Sequence, residues 1–264
     1  MSMILYHGEP NGPSLTALAM VGETGLDVDC RPIALLRGER HTIPGLTEPL
    51  ARDMGLEGEG PVLVVDGEAM TESVFLAQYM DEMAGNALQP KDAYAHWQMM
   101  MWCRRITERC APAAAFLGNK AFASPVLAAM ADAEFDAAIA PIVSGDLKQR
   151  WIETRADSMT EAAVGNAMAD STTKLTAAVQ MVEDQLADGR EWLMGDVSIA
   201  DIETYGWLAG AEALVPGVWD NRPRAAAWAA RVRSRPSVAA ALARATVAQP
   251  ETAWAPGPEI NRWG

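Results

Sequence analysis

Two places in the chain carry residues able to hold or activate a small ligand. One is the pair Glu72-Ser73, which follows the run Gly60-Pro61-Val62-Leu63-Val64-Val65-Asp66-Gly67; the other is Glu9-Pro10-Asn11-Gly12-Pro13-Ser14. A Glu-Ser pair opening a helix puts free backbone amides and the positive end of the dipole where they can hold a carboxylate. Ser14 at the start of another helix combines a hydroxyl with nearby free amides, and it equally fits a simple N-cap from which the helix would run from Leu15 to about Thr24. Pro61 stands directly before an apolar strand, a position where a cis peptide turns the backbone outward. Cys30, Cys103 and Cys110 are too few and too scattered for a disulfide framework or a zinc site, so no metal is expected. Cys103 and Cys110, seven apart on one helix, read as buried thiols.

The elements around these residues have legible signals. Met3 to Gly8 is a short apolar strand, and Leu26 to Ile33 reads as a second. Val62 to Val65 is β-prone, and Asp66-Gly67 is the dipeptide that a type I′ hairpin turn wants, since both residues tolerate positive φ cheaply. Val74 to Met80 then switches to helical spacing. The order β-α-β, a long loop, then β-β-α describes a thioredoxin-like half with a parallel first pair and an antiparallel hairpin. The Cys-x-x-Cys of a redox thioredoxin is replaced here by Glu9 to Ser14, which removes disulfide exchange. The local hairpin pattern alone also fits an ordinary hairpin packed on a helix.

Ala84 to Lys91 breaks the pattern and reads as a linker. Strand signals stop beyond it, and helices are expected at about 92–116, 124–140, 145–158, 159–188, 199–213 and 223–246. The expected division is a mixed α/β domain at 1–83, a linker at 84–93 and an all-α domain at 94–264. Ser198-Ile199-Ala200-Asp201 is a capping box, with Val197 and Ile202 spaced as a hydrophobic staple. The Pro-rich tail from Ala248 reads as irregular, with Trp254 and Trp263 placed to dock it on the body.

Composition narrows the function. Of 264 residues half are hydrophobic and 21% charged, enough for a substantial core. A net charge of −14 argues against nucleic acid, whose phosphates need cations. The N-terminus lacks the basic and apolar regions of a signal peptide, and no run of 18 apolar residues is present. A cytoplasmic chain without a membrane span is expected.

Taken together, the Pro61 strand, the Asp66-Gly67 hairpin, Glu72-Ser73 and the Ser198/Asp201 box resemble the glutathione transferase superfamily. Across nearly the whole length the chain looks most like its bacterial (sphingomonad) lignin β-etherase branch. That closer likeness rests on Leu5-Tyr6 with Ser14-Leu15, on Thr71-Glu72-Ser73, and on Gln78-Tyr79-Met80-Asp81-Glu82. It extends to an insertion carrying Ala121-Phe122-Ala123, Ala131-Asp132-Ala133-Glu134-Phe135 and Leu147-Lys148-Gln149-Arg150-Trp151. The resemblance implies a thioredoxin-like N-terminal domain, an all-α C-terminal domain, and glutathione as co-substrate without a metal. It implies thiol activation by Ser14 or Asn11, with Tyr6 as a further candidate that fits plain core equally well. Gly60, Pro61, Glu72, Ser73 and His41 would hold the tripeptide. The implied reaction is attack of the thiolate on the carbon α to an aryl ketone, with a phenolate leaving. Trp97, Met101 and Trp102 could line the pocket for the aromatic ether, although a Met/Trp stripe on a helix also fits core or a subunit contact.

Three positions depart from the branch. Pro13 replaces an Asn that is a candidate activator, Gly60 replaces a Val, and the loop Arg37 to Gly58 lacks an Asn-Pro-x-Gly turn. Because these cluster on the glutathione site, a second reading is a degenerate, non-catalytic subunit pairing with an active relative. A dimer is implied either way, of identical chains or as a heterodimer.

Overall fold

The structure is a computed structural model that describes residues 1–47 and 60–254. Four strands, β1 (Met3–His7), β2 (Asp29–Pro32), β3 (Val62–Val65) and β4 (Glu68–Met70), form one sheet in the order β2-β1-β3-β4. β1 pairs with β2 in parallel, and β1–β3 and β3–β4 are antiparallel. The hairpin turns on Asp66 and Gly67 at φ 48° and 95°, the positive values the dipeptide was read for. Helix α1 (Gly12–Thr24) makes the crossover from β1 to β2, and α2 (Ser73–Met83) follows the hairpin. β2 is shorter than expected because Leu26 to Val28 do not pair with β1.

Beyond Met83 the described residues form helices, apart from isolated bridges at Trp192–Asp196. They are α3 (Ala93–Ala129), α4 (Asp132–Ile139), α5 (Gly145–Ala156), α6 (Glu161–Gln185), α7 (Ile199–Leu208), α8 (Ala211–Leu214), α9 (Pro223–Arg233) and α10 (Pro236–Leu242). No single helix among the described residues is long and apolar enough to cross a membrane. A break was expected between 116 and 124, yet α3 runs through it. Two π turns, at Ile106–Cys110 and Asn119–Ala123, immediately precede the turns that hold Pro112 and Pro125. A proline has no amide and its ring crowds the carbonyl four residues back; widening the preceding turn relieves both, so the helix bulges instead of ending.

The segment between α2 and α3 is pinned by hydrogen bonds. The buried Asp81 carboxylate accepts from the amides of Ala87 and Leu88, each at 3.0 Å, and from the Gln89 side chain at 3.2 Å. One apolar core joins the sheet, α1 and α2 to α3, α6, α7, α9 and α10. Cys103 and Cys110 lie in it, as read from their spacing, and burial pushes the Cys110 thiol up to about 12. A smaller core of Leu127, Met130, Phe135, Ala138, Ile142, Leu147 and Trp151 lies inside the insertion, with Leu36 from the segment after β2 packed on it.

The capping box is present and does more than cap. Asp201, fully buried, accepts from the Leu193 amide (2.9 Å), the Ser198 amide and hydroxyl (3.0 Å each) and the Trp228 indole (2.8 Å). It thereby ties the approach to α7, the start of α7 and α9 together. Burial pushes its carboxyl above the ordinary value while those four donors work the other way. Replacing Asp201 with Ala strands buried donors on three segments. Such a variant should lose about 3 kcal/mol of unfolding free energy, read from its urea midpoint.

Candidate functional site

α1 begins three residues earlier than a Ser14 cap would allow. Asn11 is the N-cap, and its carbonyl accepts from the amides of Ser14 and Leu15. Pro13 sits in the first turn, where a helix has no use for the missing amide. Ser14 is therefore inside the helix, and its buried hydroxyl oxygen accepts from the Gly8 amide at 3.1 Å. That leaves the hydroxyl proton to donate elsewhere. The Asn11 side chain is buried, and its Oδ1 has no hydrogen-bond partner.

Gly60 and Pro61 lead into β3. No peptide among the described residues is cis, so the Gly60–Pro61 bond is trans, against expectation. Pro61 is fixed instead through its carbonyl, which accepts from the Thr71 hydroxyl at 2.7 Å across the hairpin. Trans is the default for an X-Pro bond, and Gly60 brings no side chain that would crowd it. Glu72 caps α2 at φ 74° and ψ 104°, a conformation that a residue with a side chain adopts only when its surroundings impose it. Burial pushes the Glu72 carboxyl up, and the buried Arg40 acts against that shift. His41, next to Arg40 in a short 3-10 turn, is half-buried. The Ser73 hydroxyl donates to Glu203 Oε1 at 2.9 Å, and the Trp207 indole donates to the same oxygen at 2.7 Å. Glu203 is wholly buried, its Oε2 has no partner, and its carboxyl is pushed up by burial. Sequence reading missed Arg40 and Glu203, although a Glu on the inward face of an apolar helix two residues after Asp201 was a usable signal.

A cavity of about 430 Å³ opens between the two halves. His7, Gly8 and Glu9 form one wall, the segment Pro32 to Glu39 another, and Phe122 of α3 a third; Arg244, Thr246, Ala253 and Trp254 close it. Ser14 reaches this cavity through the Gly8 peptide it binds. Most of the lining is apolar. Trp97, Met101 and Trp102 are elsewhere. Trp97 is 53% exposed and stacks on Tyr94, Met101 is half-buried, and the buried Trp102 donates to Thr204. The reason is helical phase and distance: Met99, Trp102, Cys103 and Ile106 of α3 face the main core, and the cavity lies further along at Phe122. Tyr6 faces away from the cavity toward the small cluster around Leu46 and Val62.

The tail supplies one wall as a docked strap. The Glu9 carboxylate accepts from the Thr246 amide (2.9 Å) and hydroxyl. Trp254 stacks on Trp207 at 5.6 Å and packs against Gly12 and Gly118. A Cβ on Gly118 would overlap the indole, which is why the position is a glycine. Trp263 and residues 48–58 of the long loop lie outside the described residues.

His7 is 2% exposed and faces the cavity wall. Its Nδ1 is 2.7 Å from the Gly8 carbonyl, which can only accept, so Nδ1 carries the proton and Nε2 the lone pair; Nε2 has no partner. Burial, aided by the Arg244 charge, lowers the His7 pKa below 6.5. The unfolded chain therefore takes up this proton first as pH falls, and His7 subtracts stability below pH 6.5. The unfolding free energy should fall on acidification from that point, and a His7→Gln variant should show a shallower slope in denaturation series between pH 7 and 5.

Residues 146–241 match a family model described as a domain of unknown function, DUF7962. In sequence the chain is 24% identical over 251 residues to protein LigF of Sphingobium sp. (strain NBRC 103272 / SYK-6), covering 90% of this chain and 92% of that one. In structure it matches the β-etherase LigF from Sphingobium sp. strain SYK-6 with TM-score 0.76, 21% identity, and coverage of 93% and 100% of the two chains. It also matches glutathione transferase F7 from Populus trichocarpa (TM-score 0.63, 21% identity, 91% and 99% covered). A glutathione transferase from Burkholderia graminis, with two glutathione molecules bound per subunit, matches at TM-score 0.61 and 20% identity, with 92% and 88% covered. The chain thus has the glutathione transferase fold, a thioredoxin-like sheet domain followed by helices, and its likeness to the β-etherase branch holds in sequence and in structure alike.

Proposed function

We propose that the chain is a glutathione-dependent transferase of the β-etherase type, acting on lignin-derived aryl ketones with a β-aryl ether bond. Attack of the glutathione thiolate on the carbon α to the ketone displaces a phenolate. The observation that carries this reading is the Ser14 hydroxyl, which accepts from the amide of Gly8, a residue lining a largely apolar cavity, and so keeps its own proton to donate to a sulfur. A hydrogen-bond donor of this kind lowers a thiol pKa from its free value of about 8.5. The likeness to LigF, a β-etherase, supports the substrate class.

In this reading the γ-glutamyl end of glutathione lies at the start of α2, where Glu72 and Ser73 offer backbone amides. Gly60 and Pro61 flank the cysteinyl part, and His41, joined by Arg40, faces the glycyl carboxylate. Asn11, with an unpartnered buried oxygen, is a second group near the thiol. The aryl ketone occupies the cavity between Leu35, Leu36, Phe122 and Trp254 rather than the face of α3 that carries Trp97.

The protein acts in the cytoplasm as a dimer. Phe75 and Met83 on α2 and Tyr94 and Trp97 on α3 are large apolar side chains with 45% or more of their surface exposed, which favours a subunit contact there. Trp97→Glu should shift sedimentation toward the monomer. The alternative of a non-catalytic subunit in a heterodimer is favoured by one feature, the Ser73 hydroxyl already committed to Glu203.

The deciding experiment is calorimetry of glutathione with the purified chain, followed by phenol release from an aryl-ketone β-aryl ether. Ser14→Ala should retain binding within a few fold and lose about 100-fold in kcat, the usual range for a lost donor at a developing or held anion. A folded protein that neither binds glutathione nor turns over the ether would leave the heterodimer reading.

A further inference from the structure

Gly8 holds two functional side chains at once. Its amide donates to Ser14 and its carbonyl accepts from His7 Nδ1, so both side chains are anchored to the same residue at the wall of the cavity. The two hydrogen bonds leave complementary vacancies: Ser14 keeps a proton to donate, and His7 Nε2 keeps a lone pair to accept. Nε2 is buried and has no partner in the protein. A buried acceptor left unpaired costs stability, and it persists where a ligand supplies the missing donor. A Cβ on Gly8 would stand 2.5 Å from Leu35 Cδ1, so a side chain there would displace Leu35 from the cavity wall.

We infer that His7 is the proton acceptor for the glutathione thiol. This rests on the glutathione-transferase reading above and deepens it. The thiol S–H bond breaks and its proton passes to Nε2, while the Ser14 hydroxyl donates to the sulfur that is left with the electron pair. The thiolate then forms the C–S bond as the C–O bond of the ether breaks, and that electron pair leaves on the aryl oxygen. The proton on Nε2 passes to the departing phenolate, which leaves as a phenol, and His7 returns to its neutral form. No outside acid, base or redox partner is needed.

The surroundings suit a proton that is held only until an acceptor takes it back. Arg244 lines the same cavity and has no hydrogen bond or ion pair to its guanidinium among the described residues, so its charge faces the imidazole unshielded and opposes a lasting imidazolium. Glu9, on the other side, favours it, although Thr246 occupies both of its oxygens. From the segment after β2, Arg37 is paired with Glu134 and Glu39 accepts from the Ala34 amide, so both are held in other contacts. Cys30 on β2 also feels Arg244, and its thiol is pushed up by burial, so it stays neutral through the working range. This position supplies what Pro13 cannot: a second polar group for the thiol beside Ser14.

His7→Asn and His7→Gln separate the acceptor from the scaffold. The Asn amide can replace Nδ1 in donating to Gly8 but has nothing at Nε2, and the Gln oxygen can replace Nε2 as an acceptor without basicity. The ultraviolet absorbance of bound glutathione thiolate should be followed with pH for wild type and both variants, together with kcat and KM for glutathione. Both variants should lose 100-fold or more in kcat, within the range for a lost general base, with KM for glutathione within about threefold. The thiolate transition should move to higher pH, further for Asn than for Gln. An unchanged transition and kcat in a folded variant that binds glutathione would overturn the assignment. Should neither variant fold, the imidazole nitrogen resonances of the wild-type chain decide it: glutathione should move the Nε2 signal toward the protonated value, and an unmoved signal would sink the idea. Failure of the wild type to bind glutathione at all would be a different result, since it would remove the transferase reading on which this one stands.

Discussion

The site depends on how closely α1 can approach α7. At Gly206 a Cβ would stand 2.5 Å from Thr16 Oγ1 and 2.9 Å from the Gly12 carbonyl, so only a glycine lets the two helices meet at this distance. That contact joins the sheet and its first helix to the helical body at the start of α1, where Asn11 caps the helix and Ser14 lies in its first turn. One turn earlier on α7, Glu203 reaches the Ser73 hydroxyl at the start of α2, and Asp201 gathers the segment before α7 and the Trp228 indole of α9. At the other end of α1, Glu23 takes a two-pronged bond from Arg235, at 2.6 and 2.7 Å, where α10 begins. The helix that carries Ser14 in its first turn is thus clamped at both ends, and the hydroxyl of Ser14 has little freedom to move.

Charge is arranged around this frame in two opposite ways. The carboxylates of Asp201 and Glu203 are buried between helices and are pushed up by burial, with donors from neighbouring segments as their compensation. Such networks specify how segments fit together more than they stabilise the whole, because desolvation offsets most of the attraction. The cavity, by contrast, is lined by Arg37 and Arg244 together with Glu9 and Glu39. Arg37 is paired with Glu134, Glu9 accepts from Thr246 and Glu39 from the Ala34 amide, which leaves Arg244 as the lining cation with no ion pair among the described residues. A single such cation in an acidic protein is a local point of attraction for an anionic group.

Much of the frame was legible in the sequence. β3, the Asp66-Gly67 turn, the start of α2 and the Ser198 box are local features whose chemistry is complete within a few residues, and each is found where it was read. Ser14 was identified as a hydroxyl at a helix start, but its place inside the helix follows from Asn11 taking the cap, a choice between adjacent candidates that local preference does not decide. The continuous α3 was hidden because π turns absorb Pro112 and Pro125, and a proline in sequence reads as a stop. The pocket was the least legible part. Trp97, Met101 and Trp102 lie on a strong apolar stripe, yet that stripe belongs to the core and the surface. The cavity walls come from residues as far apart as Gly8, Leu36, Phe122 and Trp254, and no periodicity connects them. His7 was invisible for a related reason: one imidazole at the end of a strand gains meaning only from the unpartnered nitrogen that folding leaves it.

The insertion explains how such a dispersed cavity keeps its shape. Its small core of Leu127, Phe135, Leu147 and Trp151 takes in Leu36 from the segment after β2, and Arg37 pairs with Glu134 at the same junction. Gly38, at φ +68°, lies so close to the Ala138 carbonyl that any side chain would collide with it. The second wall of the cavity is therefore held at one end by the sheet, through Pro32 and the Ile33 amide on the His7 carbonyl, and at the other by the insertion. The tail makes the opposing wall through Thr246 on Glu9 and Trp254 on Gly118, and Gly118 lies directly before the π turn that carries Phe122. The bulge forced by Pro125 thus sits where α3, the tail and the cavity meet. A helix that continued without it would carry Phe122 and Gly118 round to a different face, so the sequence feature that seemed to end the helix is the one that turns it toward the site.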